Sequence, residues 1–191
     1  DGEYTWRNVD NVLQPTRGWM ANVQLGAGIP GVSTEQFGRV VGRFAAWWPL
    51  SRVNELTARA DAGAVIADSR VGIPSVFLFR TGGDTTVRGY AFESLGVQQG
   101  DAVVGGRYYA VASVEAVHWI NPNWGVAAFV DAGDAFDEWS TADVAVGYGV
   151  GAVAHALWTY LRIPGLRGRA RTIVVGVLLA LQYLAPNGFL H

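Results

Sequence analysis

The feature that most constrains this 191-residue chain is a period of two, sustained through segments longer than ordinary globular strands. In "WMANVQLGAG", Trp19, Ala21, Val23 and Leu25 share one face, and Met20, Asn22 and Gln24 share the other. In "GRVVGRFAAWW", Val40, Phe44, Ala46 and Trp48 oppose Arg39, Val41, Arg43, Ala45 and Trp47. In "NELTARADAG", Leu56, Ala58, Ala60 and Ala62 oppose Glu55, Thr57, Arg59 and Asp61. A helix would bring together residues three and four apart and would mix these sets. The segments run about 10 residues or more, against about 5–6 for a typical globular strand. Such a sheet either wets its polar face as a soluble protein or turns its apolar face to lipid as a barrel. About 10 tilted residues cross a bilayer, and Trp19, Trp47, Trp48, Trp119 and Trp124 stand at segment ends, where interfacial girdles belong. The expectation is an all-β fold, an antiparallel transmembrane β-barrel.

Composition agrees and excludes several classes. Half the residues are apolar and 16% charged, with 25 glycines and no long apolar run before position 170, the profile of a membrane barrel rather than of membrane helices. The formal net charge of −2 offers no basic surface for a phosphate backbone, so no nucleic-acid partner is expected. With no cysteine, disulfides and thiolate metal sites are excluded. The start, "DGEYTWRNVDN", lacks the charged and apolar regions of a signal peptide.

Between Ala67 and Gly106 lies a long connection containing "RTGGDTTVRGY"; loops of that length are usually functional or disordered. Two following segments supply acids. In "YYAVASVEAVHW", Glu115 shares a face with Ser113 and Tyr109, and in "WGVAAFVDAGDAF", Asp131 shares one with Ala127, Phe129 and Gly133. If the apolar face meets lipid, both carboxylates point inward, where an unpaired charge is costly. An arginine carried in on a loop would answer that cost, because its planar fork bridges two carboxylates. Gly89 would let the tip pass close to the wall, and Gly82 and Gly83 would permit the sharp turn inward. On the residues alone the plainer reading is that Arg88 is a solvated loop arginine and the acids are ordinary polar groups of the interior.

At these residues the chain resembles the bacterial outer-membrane assembly superfamily, which includes the BamA, TamA and two-partner secretion proteins. Val87, Arg88, Gly89 and Tyr90 are similar to that family's [VI]-R-G-[FY] loop, and the preceding Gly82, Gly83 and Asp84 also fit. Ser113 and Glu115 resemble its S-x-E; Phe129, Asp131 and Gly133 resemble its F-x-D-x-G; "RNVDNVLQPTRGW" resembles a periplasmic turn. The motifs run in order over residues 1 to about 152, with wording nearest TamA-like members. The resemblance implies a sixteen-stranded barrel, of which this chain holds about seven strands, and a sixth extracellular loop folded into it. It implies that Glu115 and Asp131 hold Arg88. It also implies insertion of other outer-membrane β-proteins, including autotransporters, in the outer membrane of a Gram-negative cell. The partners implied are outer-membrane lipids, client β-barrel or autotransporter proteins, and an inner-membrane or periplasmic assembly partner.

Both ends depart from that family. The periplasmic domains and about seven N-terminal strands have no counterpart, so the chain reads as a C-terminal fragment. Residues 1–152 read as partial barrel, and 153–191 as an irregular, atypical tail. No Asp or Glu occurs after Asp143, while Arg162, Arg167, Arg169 and Arg171 do, and the period of two stops. Read one nucleotide later, the codons of residues 152–159 permit Arg-Trp-Arg-Thr-Pro-Phe-Gly-Pro, which matches the family's continuation. The tail therefore reads as a frameshift, with an amphipathic membrane-surface segment as the alternative.

No enzyme is expected. There is no G-x-S-x-G elbow, and His118, His155 and His191 form no metal spacing. Glu115 and Asp131 could be read as a glycosidase pair, but an adjacent arginine disfavours a general acid. No cofactor, metal or catalytic residue is expected. The alternatives to an insertase are a two-partner-secretion-type pore and a fragment with no activity of its own, since open sheet edges are not tolerated in lipid.

Overall fold

A computed structural model describes residues 1–12, 15–28, 35–122 and 124–154. The expectations for the tail, frameshift included, lie outside the described residues apart from its first two. The chain folds as strands β1 (Gly2–Val9), β2 (Gly18–Gly28), β3 (Phe37–Pro49), β4 (Asn54–Ile66), β5 (Val97–Gln99), β6 (Ala102–Val104), β7 (Tyr108–Trp119), β8 (Trp124–Phe136) and β9 (Ala145–Ala154). Seven of them form one antiparallel sheet in the order β1-β2-β3-β4-β7-β8-β9. The connection from β4 to β7 is not featureless: it contains a 3-10 turn at Ser75–Phe77 and the small hairpin β5–β6.

Register follows the alternation in the sequence. Arg43 stands opposite Asp61, Arg59 opposite Ser113, and Ser113 opposite Asp131; one face thus gathers the charges from strand to strand. The other face gathers Trp19, Phe44, Trp48, Val114, Val126, Val130 and Val150, each at least 40% exposed. An apolar surface so broad is unsustainable in water and suits strands of 8–13 residues crossing hydrocarbon.

The core lies on the inner face, between the sheet and the long β4–β7 connection. Phe37, Val41 and Val65 from β3 and β4 and Ala135 from β8 bury against Ile73 and Phe79 of that connection. Phe79 packs against Tyr109 as a tilted pair with ring centroids 4.5 Å apart. The inner face is therefore polar only in part: its valines and Phe37 are the dry seat of the loop. Arg39 reinforces that seat, donating from Nε to the Phe77 carbonyl (3.2 Å) and from Nη1 to Gln24 (3.3 Å), with its guanidinium 4.8 Å from the Phe79 ring centroid. At the loop's far end Arg107 donates to the Ala67 carbonyl (2.6 Å), and Arg70 pairs with Asp137 at 2.8 Å. The connection is thus tied down along its length.

Candidate functional site: an inward arginine clamp

Within this loop the chain turns through Gly82 (φ +100°) and Gly83 (φ +97°). The Gly82 amide donates to Thr86 Oγ1 at 2.9 Å. Asp84 is exposed at this turn. Val87 is fully buried. Gly89 has φ +95°, a left-handed conformation that few side chains adopt without cost. Tyr90, the last residue of the motif, is exposed.

Arg88 reaches the inner wall. Its Nε donates to Asp131 Oδ2 at 2.7 Å and its Nη2 to Asp131 Oδ1 at 2.9 Å, a fork on one carboxylate. The Arg88 amide donates to Asp131 Oδ2 as well, at 3.0 Å. Nη1 donates to Glu115 Oε2, and Nη2 reaches Ser113 Oγ at 3.3 Å. The guanidinium carbon lies 3.6 Å from the Phe129 ring centroid. Asp131 has no exposed surface, while Arg88 keeps 17% and Glu115 30% of their side-chain exposure. A buried carboxylate is tolerated only with a charged, hydrogen-bonded partner, and a fork with parallel N–H donors is the strongest that a side chain offers. Ser113, Glu115, Phe129 and Asp131 meet at Arg88 because β7 and β8 pair with Ser113 opposite Asp131 and Glu115 opposite Phe129.

Two site residues are absent from the sequence reading. A Cβ on Gly147 would overlap the Arg88 carbonyl oxygen. The loop can reach the wall only because β9 carries no side chain there, so the space expected from Gly89 is supplied by Gly147. A Cβ on Gly149 would stand 2.8 Å from the Phe129 ring, which swings into the space left open. Gly147 faces Asp131 and Gly149 faces Phe129 across β8–β9. The signal was present in "AVGYGVGA", where every inward position from Gly147 to Gly151 is glycine while Val146, Tyr148 and Val150 point outward. What it lacked was a partner, since nothing local says that a loop from 60 residues earlier lands there.

Among the described residues no cluster of acids and histidines has metal-binding geometry. The clamp itself has no free acid, base or nucleophile at an open cleft; its chemistry is that of a fastener.

Residues 1–155 match the family model described as the Omp85 superfamily domain. The fold is similar to the crystal structure of BamA from Haemophilus ducreyi lacking POTRA domains 1–3, with a TM-score of 0.66 at 19% identity. That likeness covers 78% of this chain and 35% of the BamA chain, so the sheet corresponds to about a third of the solved protein.

Proposed function

The chain belongs to the Omp85 superfamily, and on that premise we propose that it works as part of a barrel that inserts other outer-membrane β-proteins. Family and fold set it in the bacterial outer membrane, with the apolar face of the sheet toward lipid. Residues 1–152 constitute the barrel segment. The wording of its motifs stands nearest the TamA-like branch, with client β-barrel or autotransporter proteins and a periplasmic or inner-membrane assembly protein as partners. The reaction requires no catalytic residue, because the free energy of insertion comes from the client's own apolar burial and strand pairing.

The observation that carries this reading is the inward loop held by Arg88 against Asp131 and Glu115. A barrel that admits client strands has to tolerate local opening of its wall without losing its shape. A loop fastened to β7 and β8 from inside, and packed against Gly147 of β9, braces those strands together. The test is client folding by the intact protein in liposomes, compared between wild type and Arg88→Ala. Reduced client folding with the barrel still inserted is the expected result; unchanged client folding and unchanged heat-modifiability would refute the reading.

A further inference from the structure

Away from the clamp, the short-turn end of the sheet carries a groove for which the loop has no use. The four-residue turns joining β3 to β4 and β7 to β8 lie at one end of the sheet with the β1–β2 turn, whereas the long β4–β7 connection lies at the other. In outer-membrane barrels the short turns are periplasmic. At that end a groove of about 670 Å³ opens on the outer face, with Ala46 beneath it and Trp19, Phe44, Trp48 and Leu50 beside it. Arg17 lines the same groove. The aromatic walls remain 40%, 43% and 45% exposed and Leu50 63% exposed, so this apolar cleft is open at the level where headgroups meet hydrocarbon.

Arg17 is held in place by its backbone rather than its side chain. Its amide donates to Asp10 Oδ1 at 3.0 Å, beside bonds to Asp10 from the Thr16 amide (3.0 Å) and hydroxyl (2.6 Å). These bonds hold the Asp10 carboxyl well below the usual range, the Thr16 hydroxyl contributing most. They engage both of its oxygens with short-range donors. The Arg17 side chain is exposed and forms no ion pair among the described residues.

We propose that this groove seats an anionic phospholipid of the periplasmic leaflet. One acyl chain lies along Trp19, Phe44, Trp48 and Leu50, and the phosphodiester sits on the Arg17 guanidinium. The chemistry is complementary at both ends: a planar cation binds phosphate through paired donors, and tryptophan holds the boundary between headgroup and chain.

The experiment is native mass spectrometry of the full-length protein, purified in detergent and offered equal phosphatidylglycerol and phosphatidylcholine with identical chains. The expected result is preferential retention of phosphatidylglycerol, reduced about fivefold by Arg17→Ala and largely kept by Arg17→Lys. Arg52→Ala is the control, because Arg52 is exposed in the neighbouring β3–β4 turn but does not line the groove. Trp48→Ala should reduce retention of both lipids. Equal retention of the two lipids, retention unaffected by Arg17→Ala, or an equal loss in Arg52→Ala would each overturn the assignment. Heat-modifiability of each variant reports that the barrel is folded, and client insertion in Arg52→Ala should stay at the wild-type level.

Discussion

Gly147→Ala, a change of one methyl group, should release the loop. The added Cβ would overlap the Arg88 carbonyl oxygen and stand 3.1 Å from its carbon, and neither is the flexible end of a side chain. The strand cannot turn aside, because Gly147 is held opposite Asp131 in the β8–β9 ladder. The loop must withdraw instead, by ~1 Å to restore ordinary contact. Three bonds from Arg88 to Asp131, at 3.0, 2.7 and 2.9 Å, would then pass the useful limit of about 3.2 Å. Asp131 has no exposed surface, and a buried charge stripped of its partner costs about 3–5 kcal/mol. Alanine in a strand recovers about 0.5–1 kcal/mol over glycine, leaving a net loss of ~2–4 kcal/mol. Urea unfolding of the intact protein in lipid, followed by tryptophan fluorescence, measures it. A double-mutant cycle isolates the mechanism: in an Arg88→Ala background the same methyl should cost less than in the wild type, because the Nε and Nη2 bonds are already gone and only the backbone amide bond to Asp131 is left to break. A neutral Gly147→Ala, or a cost that adds in full to that of Arg88→Ala, would refute the steric argument.

Other substitutions test separate links. Arg88→Lys keeps the charge but cannot span Asp131 and Glu115 together; losing about two charge-assisted bonds should cost ~2–4 kcal/mol in the same urea titration, and a loss under ~1 kcal/mol would mean the fork is unimportant. Phe79→Ala removes the loop's central core ring from Phe37, Val41 and Val65; a cost of about 3–5 kcal/mol should show as proteolytic cleavage within residues 67–107 while the sheet survives. Asp10 bears on pH. Its folded value is depressed below the unfolded value of about 3.9, so its contribution to the β1–β2 turn is complete above that value and is lost as pH falls through the folded one. Amide exchange at Thr16 and Arg17 should stay slow at pH 4 and quicken only in stronger acid; quickening between pH 5 and 4 would contradict the hydrogen-bonded turn.

The sheet was legible in the sequence because a strand's side-chain period is local. Arg43 and Asp61 had to point the same way as Glu115 and Asp131 once one face was apolar throughout, and the register places Arg43 opposite Asp61. The pairing of the acids with Arg88 was not fixed by the residues alone, which left Arg88 open as a solvated loop arginine; the resemblance of its loop and of the two acid motifs is what pointed it inward. Three things were decided only in three dimensions. The inner face is partly dry, because Ile73 and Phe79 of the loop settle on Val41 and Val65, residues whose inward position alone says nothing of what covers them. Arg39 serves the loop rather than the wall, which no spacing between Arg39 and Phe77 reveals. Gly147 and Gly149 read as empty positions until the Arg88 backbone arrives from the loop and the Phe129 ring from β8 to fill them. Alternation along a strand is set by backbone geometry and survives without a fold. What occupies the space beside a strand is set by long-range closure of the chain, and only the tertiary structure determines it.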